Sequence, residues 1–113
     1  MTTKNKKTIK RIIEESDKKN IESYMNYFTD DIRWEIVGMP VITGKKEFLI
    51  AMETLKLENF PTTNVKNIIA EGEFVVVEST GKDISNSFCD IYRFRDEKIQ
   101  ELTTYIIDTS LIE

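Results

Sequence analysis

"SNSFCDIYRFRDEKIQELTTYIID", residues 85–108, carries the clearest strand pattern of the chain. In its first half, aromatic residues recur on one side of the chain from Phe88 to Phe94, which is typical of a β-strand with one buried face. The segment "RDEK", residues 95–98, then reverses the chain into a second strand. Asp90 has the same parity as the aromatic residues. The pattern therefore predicts a carboxylate on the buried face of this strand.

On the amino-terminal side, the segment "VKNIIAEGEFVVVESTGKD", residues 65–83, predicts two more strands around a turn at Gly72. Four consecutive strands indicate an antiparallel meander. The amino-terminal half predicts three helices and one strand. Helical spacing appears at residues 9–13, 21–28 and 45–56, and "IRWEIVG", residues 32–38, is typical of a strand.

The predicted order is therefore α-α-β-α-β-β-β-β. Three helices in the amino-terminal half, followed by a sheet, favour an α+β fold in which the helices pack on one face of a strongly curved, mostly antiparallel sheet. A chain of 113 residues suffices for one core, and no linker divides it. We expect a single domain covering residues 1–113.

Composition limits the function. The chain is 40% hydrophobic and 32% charged with a net charge of −4, which disfavours nucleic-acid binding. No apolar run approaches membrane-span length and no signal peptide is evident, so we expect a cytoplasmic protein without a membrane partner. Histidine is absent and Cys89 is the single cysteine. Catalysis through a histidine-activated nucleophile is excluded, no acid cluster has metal-ligand spacing, and we expect no cofactor and no metal.

Three stretches together carry a resemblance to a known family: residues 27–48 ("YFTDDIRWEIVGMPVITGKKEF"), 64–80 ("NVKNIIAEGEFVVVEST") and 89–108 ("CDIYRFRDEKIQELTTYIID"). In this order they resemble the SnoaL-like group of the nuclear transport factor 2-like superfamily, which has the cystatin-like fold. The resemblance implies a cone-shaped α+β barrel with an apolar pocket at its open end. It also implies a homodimer formed through the sheet, in which Cys89 is either a small buried residue or part of the dimer surface.

The ketosteroid isomerase branch of this superfamily suggests catalytic roles. The resemblance places Asp90 where that branch has a protonated aspartic acid that donates a hydrogen bond to a substrate oxyanion. It places Glu35 near the proton-shuttling carboxylate and Asp108 where relatives often have an acid. The tyrosine of the branch would fall near Ile12 and is missing, and Glu97 stands where relatives often have glycine.

The residues themselves leave all three roles open. Asp90 could instead be satisfied by a tyrosine or a backbone donor, or lie near the solvated mouth of the pocket. Glu35 lies opposite the apolar residues of its strand, so a regular strand points it away from the core, and only a β-bulge or the wrap of the sheet would reverse this. Asp108 could reach the pocket or cap the carboxyl-terminal segment. The best apolar candidates for the pocket walls are Trp34, Tyr24, Phe28, Met39, Met52, Phe60, Tyr92 and Tyr105.

Two classes of function follow. The first is an enzyme of isomerase, cyclase or hydrolase type that uses carboxylate acid/base chemistry on a small apolar carbonyl or polycyclic compound. The second is a binding module that holds a ligand without turnover, or a dimer that presents its sheet to a partner. The absence of histidine and the missing tyrosine near Ile12 favour the second class, whereas a buried Asp90 favours the first.

Overall fold

The computed structural model of the protein describes residues 2–17, 25–58, 63–81 and 86–108. The elements are α1 (Thr2–Asp17), a 3-10 turn (Met25–Tyr27), β1 (Phe28–Ile36), β2 (Ile42–Thr43), α2 (Lys45–Glu58), β3 (Thr63–Glu71), β4 (Phe74–Gly81), β5 (Asn86–Arg95) and β6 (Lys98–Asp108). The fold is α+β, as predicted. Within the described part of the chain, neither helix has the length and apolar character that a membrane crossing requires.

The six strands form one curved sheet in the order β2-β1-β6-β5-β4-β3. The predicted meander is present, because β3, β4, β5 and β6 pair antiparallel in sequence. The sheet is mixed, since β1 lies parallel to β6 and antiparallel to the short β2. The first and last long strands of the chain therefore lie side by side.

The amino-terminal half differs from the predicted order. Two α-helices are described, α1 and α2, and the first half of the predicted helix at residues 21–28 lies outside the described residues. In its second half, Met25–Tyr27 form a short 3-10 helix and Phe28 opens β1, so no α-helix is present there. Phe28 is buried against Phe48 with ring centroids 4.7 Å apart, so its apolar character reflects strand packing. The two-residue β2 was not predicted, because it is too short to show a period.

The core lies between the helices and one face of the sheet, which we call the inner face. Each helix contributes its apolar side: α1 packs against β3 and β4 through Ile9 and Ile12, and α2 packs against β1 and β2 through Phe48. The main sheet residues of this core are Phe28, Ile32, Trp34, Val75, Val77, Tyr92, Phe94, Ile99 and Leu102. Full burial of each large side chain stabilises the fold by about 1.5–3 kcal/mol.

The β5–β6 hairpin fixes the register of the two central strands. Asp96 and Glu97 in its turn have φ of 52° and 69°, the left-handed conformation of a two-residue hairpin turn. This conformation is unfavourable for a residue other than glycine, and the ion pair of Glu97 with Lys4, at 2.8 Å, ties the turn to α1. Just before the turn, the register shifts between Arg93 and Phe94. This bulge determines which residues of β6 face inward.

Candidate functional site

Asp90 lies on the inner face, in the middle of β5. Its cross-strand neighbours are Val77 on β4 and Thr104 on β6, both buried, and Phe88 and Tyr92 flank it along its own strand. Burial raises the pKa of Asp90 from its ordinary value of 3.8 to about 6, although the hydrogen bond from Thr104 acts in the opposite direction. The prediction of an inward-facing carboxylate thus agrees with the placement of this side chain.

Asp90 is held by a chain of two hydrogen bonds that crosses three neighbouring strands. Trp34 on β1 donates from Nε1 to Oγ1 of Thr104 at 3.0 Å. Thr104 on β6 donates from Oγ1 to Oδ1 of Asp90 at 2.7 Å. The indole ring packs edge-on against Phe48 of α2 at 5.3 Å between centroids. Strand β1, strand β6 and helix α2 therefore jointly fix the orientation of one carboxyl group on β5.

Burial controls the charge of Asp90. Protein atoms surround the carboxyl closely enough for burial to dominate its pKa, although the residue as a whole is only half-buried. Val77 and Phe88 beside it are apolar and buried. A carboxyl among such neighbours has little bulk water to solvate its charge, which is the physical cause of the raised pKa.

The other two predicted carboxylates lie elsewhere. Glu35 has Trp34 and Ile36 as strand neighbours, both directed to the core, so its side chain lies on the opposite face of the sheet. The register of β1 does shift, but between Phe28 and Arg33, before Glu35 is reached. Asp108 has the parity of Thr104, but it is exposed at the end of β6. The structure does not bring Glu35 to Asp90, and four residues of strand, about 13 Å, separate Asp108 from Thr104.

The predicted wall residues divide into three groups. Trp34, Phe28 and Tyr92 are buried in the core, and Met52 is partly buried against it. Met39 is exposed in the turn after β1, and Tyr105 is exposed on the face opposite Asp90. Tyr24 and Phe60 lie outside the described residues. Of these side chains, Trp34 is connected to Asp90 through Thr104.

Thr104 is a site residue that the sequence did not predict. It is one of two successive threonines in an alternating strand, and nothing local distinguishes it from Thr103. A regular hairpin starting from the pair of Arg95 with Lys98 would set Asp90 opposite Thr103, whereas the bulge sets it opposite Thr104. The signal that identifies Thr104 is therefore the register, which depends on the bulge.

With the geometry established, comparison with known proteins gives the family. The sequence profile of the SnoaL-like domain matches residues 9–102. The chain belongs to the SnoaL-like domain family. The matched segment includes Trp34 and Asp90 and ends just before Thr104. A comparison with curated protein sequences gives no significant match.

Solved structures agree with this family and show the same fold. A nuclear transport factor 2-like protein of unknown function from Cytophaga hutchinsonii is 26% identical, with a TM-score of 0.75 over 90% of this chain and 98% of that one. A candidate SnoaL-like polyketide cyclase from Jannaschia sp. is 18% identical, with a TM-score of 0.81 over 98% and 90%. A candidate ketosteroid isomerase from Kribbella flavida is 16% identical, with a TM-score of 0.78 over 94% and 79%.

Two further features would add to the chemistry of the described part of this SnoaL-like domain: a second hydrogen-bond donor near Asp90 and a metal site. Where the resemblance would place a tyrosine donor, Ile12 is buried in the helix–sheet core and offers no hydrogen bond. Across residues 2–17, 25–58, 63–81 and 86–108, no three histidine, cysteine or acidic side chains gather closely enough to hold a metal ion. Of the three predicted carboxylates, Asp90 is the one that lies in the middle of the inner face.

The opposite face of the sheet, which we call the outer face, carries a second feature of this SnoaL-like domain. A half-open depression of about 290 Å³ crosses β3, β4, β5 and β6, and its lining residues include Ile69, Val76, Cys89 and Ile107. Ile69 and Ile107 expose 62% and 53% of their surface. Burial and the nearby carboxylates raise the pKa of the Cys89 thiol, so the thiol stays protonated and unreactive near neutral pH.

Proposed function

We propose that this SnoaL-like domain binds a small, largely apolar molecule bearing a carbonyl group against the inner face, and that Asp90 is its acid/base group. The observation that carries the proposal is one carboxyl, set among Val77, Tyr92 and Phe88, with its pKa raised to about 6 by burial. An apolar surface with one oriented polar group is the usual composition of a small-molecule site. The lone Cys89 supports a reducing, cytoplasmic location.

The chemistry follows from this pKa. A base is most effective when its pKa lies near the working pH, and Asp90 with a pKa of about 6 is largely ionised, yet still basic, near pH 7. Its carboxylate would accept a proton from a carbon next to the carbonyl, leaving an enolate. With a β,γ-unsaturated ketone, return of the same proton to the γ-carbon of the dienolate completes an isomerisation. With a dicarbonyl compound, attack of the enolate on the second carbonyl forms a carbon–carbon bond, and transfer of the proton from Asp90 to the resulting alkoxide completes a cyclisation. Resemblance of fold to a candidate isomerase and a candidate cyclase supports this choice by analogy.

A model ketone tests the proposal before the natural substrate is known. The protein is titrated with 2-acetylnaphthalene, and binding is followed by the fluorescence of Trp34, the single tryptophan. Exchange of the methyl protons of the ketone is then followed by NMR in D2O. We expect saturable quenching and protein-dependent exchange that falls at least 10²-fold in Asp90→Asn, the usual scale of a general-base contribution.

Asp30→Asn is the matched control, because it makes the same chemical change at a fully exposed side chain. It should exchange the ketone protons at the wild-type rate. Saturable binding with no exchange above background would support ligand binding but contradict the acid/base role. Equal exchange by wild type and Asp90→Asn would also contradict that role. Absence of binding by a panel of apolar ketones would contradict the proposal as a whole.

A second candidate function is assembly of a homodimer through the outer face. Exposed apolar side chains of the outer face, among them Ile69, Phe74, Tyr105 and Ile107, lie on β3, β4 and β6. Four strands at about 4.8 Å spacing and eight residues at about 3.3 Å give a projected face of roughly 500 Å², and its side chains add to the accessible area. The ~800 Å² per partner of a standard interface is therefore within reach. Exposed apolar side chains grouped on one face of a soluble domain often mark a contact with another molecule.

Sedimentation equilibrium tests the dimer with a matched pair of variants. Ile107→Lys puts a charge in the depression of the outer face and should shift the protein to monomer. Ile50→Lys makes the same change on α2, where the side chain is similarly exposed at 49% against 53%, and should leave the dimer intact. A wild-type protein that is monomeric at 100 μM would contradict dimer assembly, and so would equal masses for the two variants.

A further inference from the structure

The hydrogen-bond chain that ends at Asp90 has a fixed direction. An indole nitrogen can only donate, so Oγ1 of Thr104 must accept the bond from Trp34. A threonine hydroxyl has one proton to give, and at 2.7 Å its acceptor is Oδ1 of Asp90. The chain thus runs from Trp34 through Thr104 to Asp90. Oδ1 of the ionised carboxyl is therefore already engaged as an acceptor.

We infer that Trp34 and Thr104 are positioning residues that reserve Oδ1 of Asp90 as an acceptor, so that Oδ2 is the oxygen that takes up and returns a proton. This inference rests on the proposed acid/base role of Asp90 and deepens it. It assigns separate tasks to the two oxygens of one carboxyl: one anchors the group and the other reacts. Neither Trp34 nor Thr104 needs to touch the ligand.

The packing around the hydrogen-bond chain keeps this direction in place. Trp34 is 3% exposed and its ring meets Phe48 edge-on, so the indole has no room to turn its N–H elsewhere. Thr104 is 4% exposed and is a β-branched residue within a strand, which restricts its χ1 rotamers. Neither donor can exchange its protein partner for bulk water. Preorganisation of this kind removes the need to reorient the carboxyl during a proton transfer.

The hydrogen-bond chain also explains why the pKa of Asp90 stays near neutrality instead of rising further. Burial disfavours the carboxylate, and the donated bond from Thr104 offsets part of that effect. Trp34 strengthens the bond, because a hydroxyl that accepts a hydrogen bond becomes a better donor. Loss of either donor should therefore raise the pKa of Asp90 and move the pH at which it changes charge.

The test follows the titration of Asp90 by ¹³C NMR of labelled aspartate carboxyls and the carbonyl stretch of its protonated form by infrared difference spectroscopy. Thr104→Val removes the hydroxyl donor while keeping the shape of the side chain. We expect the pKa of Asp90 to rise by about 1, since a hydrogen bond to a charged group contributes a free energy equivalent to about one pKa unit. The carbonyl stretch of the protonated carboxyl should move to higher frequency. Trp34→Phe should produce a smaller rise. Thr104→Ser retains the hydroxyl and should restore the wild-type values.

Thr103→Val is the matched control, because it makes the same change at the next residue. Thr103 pairs with Ile91, so both lie on the outer face, away from Asp90. The variant should leave the pKa and the stretch of Asp90 unchanged. An unchanged pKa and stretch in Thr104→Val would overturn the inference, and an effect of Thr104→Val without any effect of Trp34→Phe would overturn the role of Trp34. These readings need no ligand. Shifts as expected in a protein that neither binds nor exchanges ketones would refute the proposed function and leave the hydrogen-bond assignment standing.

Discussion

Replacement of Asp90 by asparagine should make the protein more stable, and increasingly so as the pH rises. The folded state holds the Asp90 proton up to a pH of about 6, against an ordinary pKa of 3.8. Below pH 3.8 Asp90 is protonated in both the folded and the unfolded protein, so it does not change the free energy of unfolding. Between 3.8 and 6 the unfolded state loses its proton first, so wild-type stability falls with rising pH. At 1.36 kcal/mol per pKa unit, the full penalty above pH 6 is about 3 kcal/mol.

The side-chain amide of the Asp90→Asn variant does not titrate, so the variant escapes this penalty. Urea unfolding of both proteins from pH 4 to 7.5 should show the variant gaining about 2 kcal/mol on the wild type across that range, the remainder having accumulated below pH 4. The difference isolates Asp90 from all other acids. Asp30→Asn, at a fully exposed side chain, should keep the wild-type pH profile. A difference between Asp90→Asn and wild type that does not vary with pH would contradict the raised pKa of Asp90.

Other substitutions test the supporting structure. Phe48→Ala empties the core beneath Trp34 and should cost about 3–5 kcal/mol in urea unfolding, with a red-shifted Trp34 emission. Glu97→Gly relieves a non-glycine residue at φ 69° and should raise the melting temperature, because the exposed ion pair that is lost contributes little; a lower melting temperature would contradict this. Arg95→Gln removes a two-bond contact to Asp31. It should raise the pKa of Asp31 toward its ordinary value and lower stability only slightly, because the pair is exposed to solvent. That loss should shrink in 0.5 M salt.

The inner-facing position of Asp90 was predictable because side-chain parity within one strand is a local property. The buried face of β5 is marked by the aromatic residues Phe88, Tyr92 and Phe94, and Asp90 lies on the same face. The same parity argument indicated that Glu35 points away from the core in a regular strand. In the structure, its side chain lies on the other face of the sheet from Asp90. Where the alternation is unbroken, direction can be read from the sequence.

The partner of Asp90 could not be predicted, because it depends on contacts between distant segments. Thr104 faces inward because of the bulge between Arg93 and Phe94. No residue in the sequence of this segment indicates that a bulge is present. The donor to Thr104 comes from β1, seventy positions away. Strand β1 reaches it only because β1 and β6 pair in parallel, an arrangement that leaves no local mark in either strand.

The ¹³C titration of the Asp90 carboxyl in the wild-type protein, assigned by comparison with Asp90→Asn, tests the buried acid/base site most directly. We expect a midpoint near pH 6. An Asp90 midpoint near pH 4 would mean that the carboxyl is solvated like a surface group, and would contradict both its burial on the inner face and the acid/base role proposed for it.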